Sequence, residues 1–339
     1  MNKNIYISVG EPAGIGPDIV LKTLSEFYLN NFKKLKLKFK IKIFANVDMM
    51  TARAELLNIN FDPLYGLPDL TWENVPLSVE TVPGVLNIKN SAYVLACLKK
   101  AADACLENLD INSNINSNIL LTGPVHKGII QQAGFDFSGH TEFLKAHAGV
   151  DHVVMLMHAS NQNLNIALLT THIPLVKISE NLTFELFEKT FSVISIFFKN
   201  KNKNKNKNKK IKIGVCGLNP HAGESGCLGR EEIEKIQPWI EIIKTKQLFN
   251  NLEILGPLPG DSIFSKQVRE TLKLDLILAL YHDQGLAPFK ALCFEEGLNI
   301  TLGLPYERIS VDHGVALSLA GTGRANYKNF EHVLAASIA

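Results

Sequence analysis

The run Ile5-Tyr6-Ile7-Ser8-Val9-Gly10-Glu11-Pro12-Ala13-Gly14-Ile15-Gly16-Pro17-Asp18-Ile19-Val20-Leu21-Lys22 decides the fold. Its first five residues are rich in the β-branched and aromatic types that suit a strand. Three glycines and two prolines then break the strand, and Ile19, Val20 and Leu21 open a helical pattern. A strand that feeds a helix through a tight turn is the start of an α/β unit with a parallel sheet. The turn lacks both the GxGxxG spacing of a dinucleotide fingerprint and the Gly-Lys-Ser/Thr of a phosphate loop. It is either a tight connection or a turn that also aims Glu11 and Asp18 at a cleft.

Outward from this run the same alternation continues. Residues 41–45, 119–122, 153–157, 165–170, 211–216, 252–255 and 274–280 read as strands. Residues 91–108, 182–198 and 231–243 read as helices, the first with Ala92, Leu95, Ala96, Ala102 and Cys105 near one face. Residues 160–163 suit the turn of a hairpin. Strands alternating with helices predict an α/β sandwich with a mostly parallel sheet, and 339 residues suffice for two domains.

Composition removes several function classes. The formal charge of +2 is misleading, because the Lys/Asn tract at 199–210 carries seven lysines and the remainder of the chain is net −5. The tract reads as a disordered surface insertion, since so polar a repeat buries too little to offset its ordering entropy. No nucleic-acid partner is expected. No apolar run approaches the roughly 18–20 residues of a membrane span, and residues 1–6 lack a signal-peptide pattern, so a cytoplasmic location is expected. The five cysteines show no CxxC pair and read as reduced thiols.

Three histidines carry the chemistry: His172 in Thr-Thr-His-Ile-Pro, His221 in Gly-Leu-Asn-Pro-His-Ala-Gly-Glu, and His282 in Tyr-His-Asp-Gln-Gly. Each follows a strand-like run, where open α/β sheets place their ligands. They are either separate structural histidines or a set that holds a divalent metal and leaves positions open for substrate. His140 and Thr141 lie in Ser138-Gly139-His140-Thr141-Glu142. That stretch is either a local helix cap at Ser138 or an anion site at a helix start. Lys290, Asn299 and Arg308 follow His282, with basic side chains suited to phosphate or carboxylate. Residues 310–314 and 320–326 are two glycine-rich turns that could let backbone approach a dinucleotide.

With these motifs together, the chain resembles the 4-hydroxythreonine-4-phosphate dehydrogenase family of the pyridoxal phosphate pathway. The resemblance runs from Gly10 to Gly323 and is densest at residues 122–128, 138–143, 217–224, 256–259 and 281–285. It implies an isocitrate/isopropylmalate-dehydrogenase-like fold of two α/β/α domains, with the active site in an interdomain cleft at the interface of a homodimer. It implies domains of 1–125 plus 303–339, with the cofactor loop, and 126–302, with the metal histidines and dimer interface. The implied metal ligands are His172, His221 and His282, the last from the partner subunit. The metal is zinc, cobalt or magnesium. His140, Thr141, Lys290, Asn299 and Arg308 match substrate-binding positions, and Asp261 matches an acidic residue near the metal. Lys290 and Asp261 are the implied catalytic candidates. Asp312, His313, Gly314, Gly321, Gly323 and Asn326 fall in the loop for NAD or NADP, with Asn326 where the family often has Asp. The implied reaction oxidises 4-phosphooxy-L-threonine to a 3-keto acid that decarboxylates to 3-amino-2-oxopropyl phosphate. Relatives acting on D-threonate or D-erythronate 4-phosphate are the alternative, and a non-catalytic phosphoester-binding protein is a further one.

Overall fold

The computed structural model describes residues 3–28, 39–107, 118–203, 210–293, 297–311 and 313–338. Its strands, in chain order, are β1 (Lys3–Ser8), β2 (Phe39–Ala45), β3 (Leu70–Asn74), β4 (Asn118–Thr122), β5 (Val154–Ala159), β6 (Leu164–Leu168), β7 (Ile211–Cys216), β8 (Leu252–Leu258), β9 (Leu276–Ala279), β10 (Leu298–Leu302) and β11 (Glu307–Ser310). The chain forms two compact units, residues 1–150 with 304–339, and residues 151–303. The resemblance implies a boundary after residue 125. Residues 126–150 instead pack with the first unit, where Ser91 Oγ donates to the Ile129 carbonyl at 3.2 Å and His147 Nε2 meets Asp103 Oδ1 at 2.8 Å.

In the first unit the strand order is β3-β2-β1-β4-β11, and every pairing is parallel. The opening run folds as read. Its turn is tight because Gly16 lies against the backbone of Val9, and a Cβ at residue 16 would stand 2.1 Å from the Val9 carbonyl oxygen. The helix Ser91–Glu107 covers β1, β2 and β4. It buries Tyr93, Val94, Cys97, Leu98, Ala101 and Cys105. The face read from sequence was centred one position away: Ala92 is exposed and Leu95 and Ala96 are half-buried. Tyr93 explains the rotation, since its hydroxyl accepts from the Asn46 backbone at 3.1 Å and draws that edge inward.

In the second unit the order is β10-β5-β6-β9-β7-β8. Strand β5 runs antiparallel to β10 and β6, and β6, β9, β7 and β8 are mutually parallel. The expected hairpin joins β5 to β6, and Asn163 takes φ 45° at its turn. The core gathers Met157, Ile166, Cys216, Ile277, Leu286 and Phe289. The Lys/Asn tract is corrected at its start. The helix Phe184–Lys203 continues through residues 199–203, because once an apolar face anchored by Phe187, Phe191 and Ile194 has nucleated it, each added residue extends it at small cost. Residues 204–209 lie outside the described residues, as do most of 110–118, although Asn118 opens β4.

Cys97, Cys105, Cys216 and Cys293 are buried free thiols and Cys227 is an exposed one. Among the described residues no helix is long and apolar enough to cross a membrane.

Candidate active site

In the second unit, four parallel strands deliver polar groups to one sheet edge. His172 follows the carboxyl end of β6, His282 that of β9, His221 that of β7 and Asp261 that of β8. Hydrogen bonds continue past β6 and β9, with Leu169 N donating to the Ala279 carbonyl at 2.8 Å and Thr170 Oγ1 to the Leu280 carbonyl at 2.7 Å. This pairing brings the His172 and His282 rings to 5.4 Å between centroids. Within one chain His282 stands beside His172, because their strands are neighbours.

His282 opens the helix His282–Cys293. Asp283 Oδ1 meets its Nδ1 at 2.7 Å, which leaves Nε2 as the nitrogen able to ligate. Gln284 ties the edge together: its Oε1 accepts from Leu280 N and its Nε2 donates to the Gly217 carbonyl, both at 2.7 Å. Gly217 N in turn donates to the Leu258 carbonyl at 2.7 Å, joining the β7 and β8 ends. His221 Nδ1 lies 4.0 Å from Asp261 Oδ2, with side chains 64% and 66% exposed. The pair is therefore open to ligands.

The turn that carries His221 has an unusual backbone. His221, Ala222, Gly223, Glu224 and Ser225 all take left-handed conformations, with φ of 53°, 51°, 80°, 40° and 57°. Each non-glycine residue in that region costs about 1–2 kcal/mol, so the surroundings must impose it.

The donor set suits a transition metal. Two imidazoles on one tetrahedral cation hold their ring centres about 5 Å apart, given metal–nitrogen distances of about 2.0–2.1 Å, and the His172–His282 spacing agrees with this. Among the described residues, no group of three or more His, Cys, Asp or Glu side chains is gathered closely enough to hold an ion. The structure therefore brings the three histidines to one edge and pairs two of them.

On the same unit, Lys290 lies on the helix that His282 opens, eight residues on and half-buried. Eight residues place it about 12 Å along the axis, near the same helix face. Asn299 in β10 keeps its Oδ1 buried with no hydrogen-bond partner among the described residues, a mark of a group awaiting a ligand.

The first unit holds the other set. Arg308 on β11 is buried, and its Nη2 donates to Thr122 Oγ1 at 2.8 Å at the end of β4. Burial lowers its pKa to about 10, so it stays charged at neutral pH. His140 and Thr141 begin the helix His140–His147. Burial first, and then the Arg308 charge, lower the His140 pKa to about 3, although part of the residue's surface stays open. The ring is neutral at pH 7 and acts as a hydrogen-bonding group beside a fixed cation. Ser138 does not cap this helix. Gly139 occupies the cap with no side-chain bond, so the helix's first amides are left for another acceptor.

The glycine-rich turns of the first unit meet around a buried ion pair that the sequence did not reveal. Arg53 contacts Asp18 and donates to the Pro12 and Gly14 carbonyls, while Asp18 Oδ1 accepts from Gly321 N at 2.7 Å. Burial raises the Asp18 pKa and Arg53 opposes the rise. Glu11 is likewise raised by burial, its Oε1 accepting from Ala13 N at 3.1 Å. Lys22 Nζ donates to the Gly323 carbonyl. His313 Nδ1 lies 3.2 Å from the Gly314 carbonyl, and Asn326 Oδ1 accepts from Lys328 N at 3.0 Å within a local turn. Gly314 and Gly323 have open space where a Cβ would stand. Asp312 lies outside the described residues. Arg53 is 35 positions from its partner, and no motif links the two.

The two units are open α/β sheets with polar groups collected at strand ends, the place where folds of this class bind their ligands. The chain belongs to the family described as pyridoxal phosphate biosynthetic protein PdxA, whose family model matches residues 29–337. It is 40% identical over 344 residues to the 4-hydroxythreonine-4-phosphate dehydrogenase of Vibrio vulnificus strain YJ016, covering 98% of this chain and 97% of that one. It is 40% identical over 343 residues to that of Shewanella denitrificans, covering 97% and 95%. The crystal structure of the Klebsiella pneumoniae 4-hydroxythreonine-4-phosphate dehydrogenase superposes with a TM-score of 0.80 at 27% identity, covering 99% of each chain.

Proposed function

We propose that the chain oxidises the C3 hydroxyl of 4-phosphooxy-L-threonine, giving a β-keto acid that loses CO2 to form 3-amino-2-oxopropyl phosphate. The observation that carries the reading is the delivery of His172, His221 and His282 to one edge of the second sheet, with two of the rings 5.4 Å apart. The names of the relatives support the substrate.

In this reading His172, His221 and His282 hold a divalent cation, with zinc the best match to three nitrogen donors and cobalt or magnesium the alternatives. Such an ion, when bound, supplies Lewis-acid polarisation of the hydroxyl oxygen and later of the ketone. NAD or NADP, when bound at residues 312–326, supplies the hydride acceptor. The chain's own residues do the rest. Arg308 neutralises phosphate charge while neutral His140, Thr141 and the uncapped helix start donate to its oxygens. Lys290 and Asn299 hold the other polar groups of the substrate and fix C3 for transfer. Asp261, beside His221, takes the hydroxyl proton in this reading. Lys290, two helical turns from His282, serves in this reading as an anion anchor. We read the active enzyme as a cytoplasmic homodimer with shared sites.

The test is NADH formation at 340 nm, with purified protein, metal and NAD, on 4-phosphooxy-L-threonine and on D-threonate and D-erythronate 4-phosphates. The expected result is chelator-sensitive turnover on the amino-acid phosphate. Turnover confined to a sugar-acid phosphate would replace the substrate, and no turnover on any of them would leave a binding protein.

A further inference from the structure

The left-handed turn at 221–225 needs something to impose it, and the second unit supplies a buried carboxylate. Glu232 is 3% exposed. Its Oε1 accepts from Leu218 N and from Asn219 N, both at 2.7 Å, and its Oε2 accepts from Asn219 Nδ2 at 2.9 Å. No basic side chain pairs with it among the described residues, so its charge is met by the turn itself. The turn closes on the same group. A Cβ at Gly223, where φ is 80°, would lie 2.6 Å from Glu232 Oε2, and one at Gly217 would lie 3.2 Å from Oε1. Asn219 Nδ2 also donates to Glu231 Oε2 at 2.8 Å, and Glu231 Oε1 accepts from Ser179 Oγ at 2.7 Å. The turn is thereby tied to residues on both sides of it.

We propose that Glu232 is a positioning residue, whose carboxylate folds residues 217–225 into the left-handed turn that presents the His221 imidazole, beside Asp261, to a divalent cation. The inference rests on the proposed metal role of His221. The chemistry requires a carboxylate. Three donors converge on two oxygens, and only an ionised acid offers acceptors at both. A glutamine would turn one N–H toward Asn219 Nδ2, setting donor against donor.

The test is Co(II) binding to the full-length protein, followed by the visible d–d absorption and requiring no turnover. Glu232→Gln is expected to raise the apparent Kd by about 10–100-fold, the usual effect of losing a group that orients a ligand, and to change the band shape. His221→Ala is expected to lose more. Ile240→Val, which thins the core of the same unit without touching the turn, is expected to bind Co(II) as wild type. Wild-type affinity in Glu232→Gln with loss in His221→Ala would overturn the role of Glu232. Equal weakening in Ile240→Val would overturn it too, by making the effect one of general stability. Wild-type affinity in His221→Ala would instead remove the metal site, and the inference with it. Should Glu232→Gln not fold, Asn219→Ala, which removes one of the three donors, is expected to weaken Co(II) in the same direction, and its failure to do so would overturn the proposal.

Discussion

A single ring shows how environment converts a residue type into a role. As a histidine, His140 could carry a proton, but burial and the Arg308 charge hold its pKa at about 3, so the fixed charge beside it is that of Arg308. This has a consequence for stability. An unfolded histidine takes up a proton near pH 6.5, while folded His140 refuses one until far lower pH. The unfolded state therefore binds more protons between those values, and stability falls as pH drops from 6.5 toward 3. His140→Gln removes this proton linkage. Urea unfolding at pH 7 and pH 5 should show the wild type losing more stability than the variant, by on the order of 1–2 kcal/mol. Equal losses would mean that His140 is not held neutral by the fold. The sequence marked His140 as a site candidate but left its charge open, because the cation that acts on it lies 168 positions downstream.

The strands and helices that were legible are those with strong local signals. The opening run, the β5–β6 hairpin and the helix Ser91–Glu107 carry their turn residues and apolar periodicity on their face. Strand β11 (Glu307–Ser310) does not, since a four-residue segment led by Glu and Arg reads as polar, and only its pairing with β4 makes it a strand. The helix His282–Cys293 was hidden by Gly285 and Pro288, which read as breakers. Gly285 is required there for packing, since a Cβ would lie 2.7 Å from Leu168 Cδ2. The elements around the first glycine turn also depend on a contact with no local signature, the Arg53–Asp18 pair. Replacing Arg53 with Met leaves a buried carboxylate without its cation, and should cost about 3–5 kcal/mol. Asp18→Leu combined with Arg53→Met removes both charges and should recover a large part of that loss. Denaturant midpoints of the two proteins check the point, and a double variant no more stable than the single one would show that the pair acts through its backbone contacts alone.

At the scale of the whole molecule, the α/β plan was readable because strand-like and helix-like runs alternate along the chain. The histidine edge was readable as well, since each ring follows a strand and parallel strands deliver their carboxyl ends to one side. The order β6-β9-β7-β8 was not, because it is set by non-local pairing. That order makes His172 and His282 immediate neighbours. The proposed anion-binding residues Arg308, His140 and Thr141 belong to one unit and the proposed metal ligands to the other. In the proposed reading, a substrate without its phosphate would forgo its charged contact with buried Arg308 while the reacting carbon stayed chemically the same. Stranding one partner of a buried charge pair costs about 2–5 kcal/mol, so 4-hydroxy-L-threonine should react with kcat/KM lower by about 10²-fold or more than its phosphate ester. Arg308→Met should erase most of that preference by lowering kcat/KM for the ester alone. Steady-state NADH formation with both compounds and both proteins measures it, and a preference that survives in Arg308→Met would place the phosphate elsewhere in the molecule.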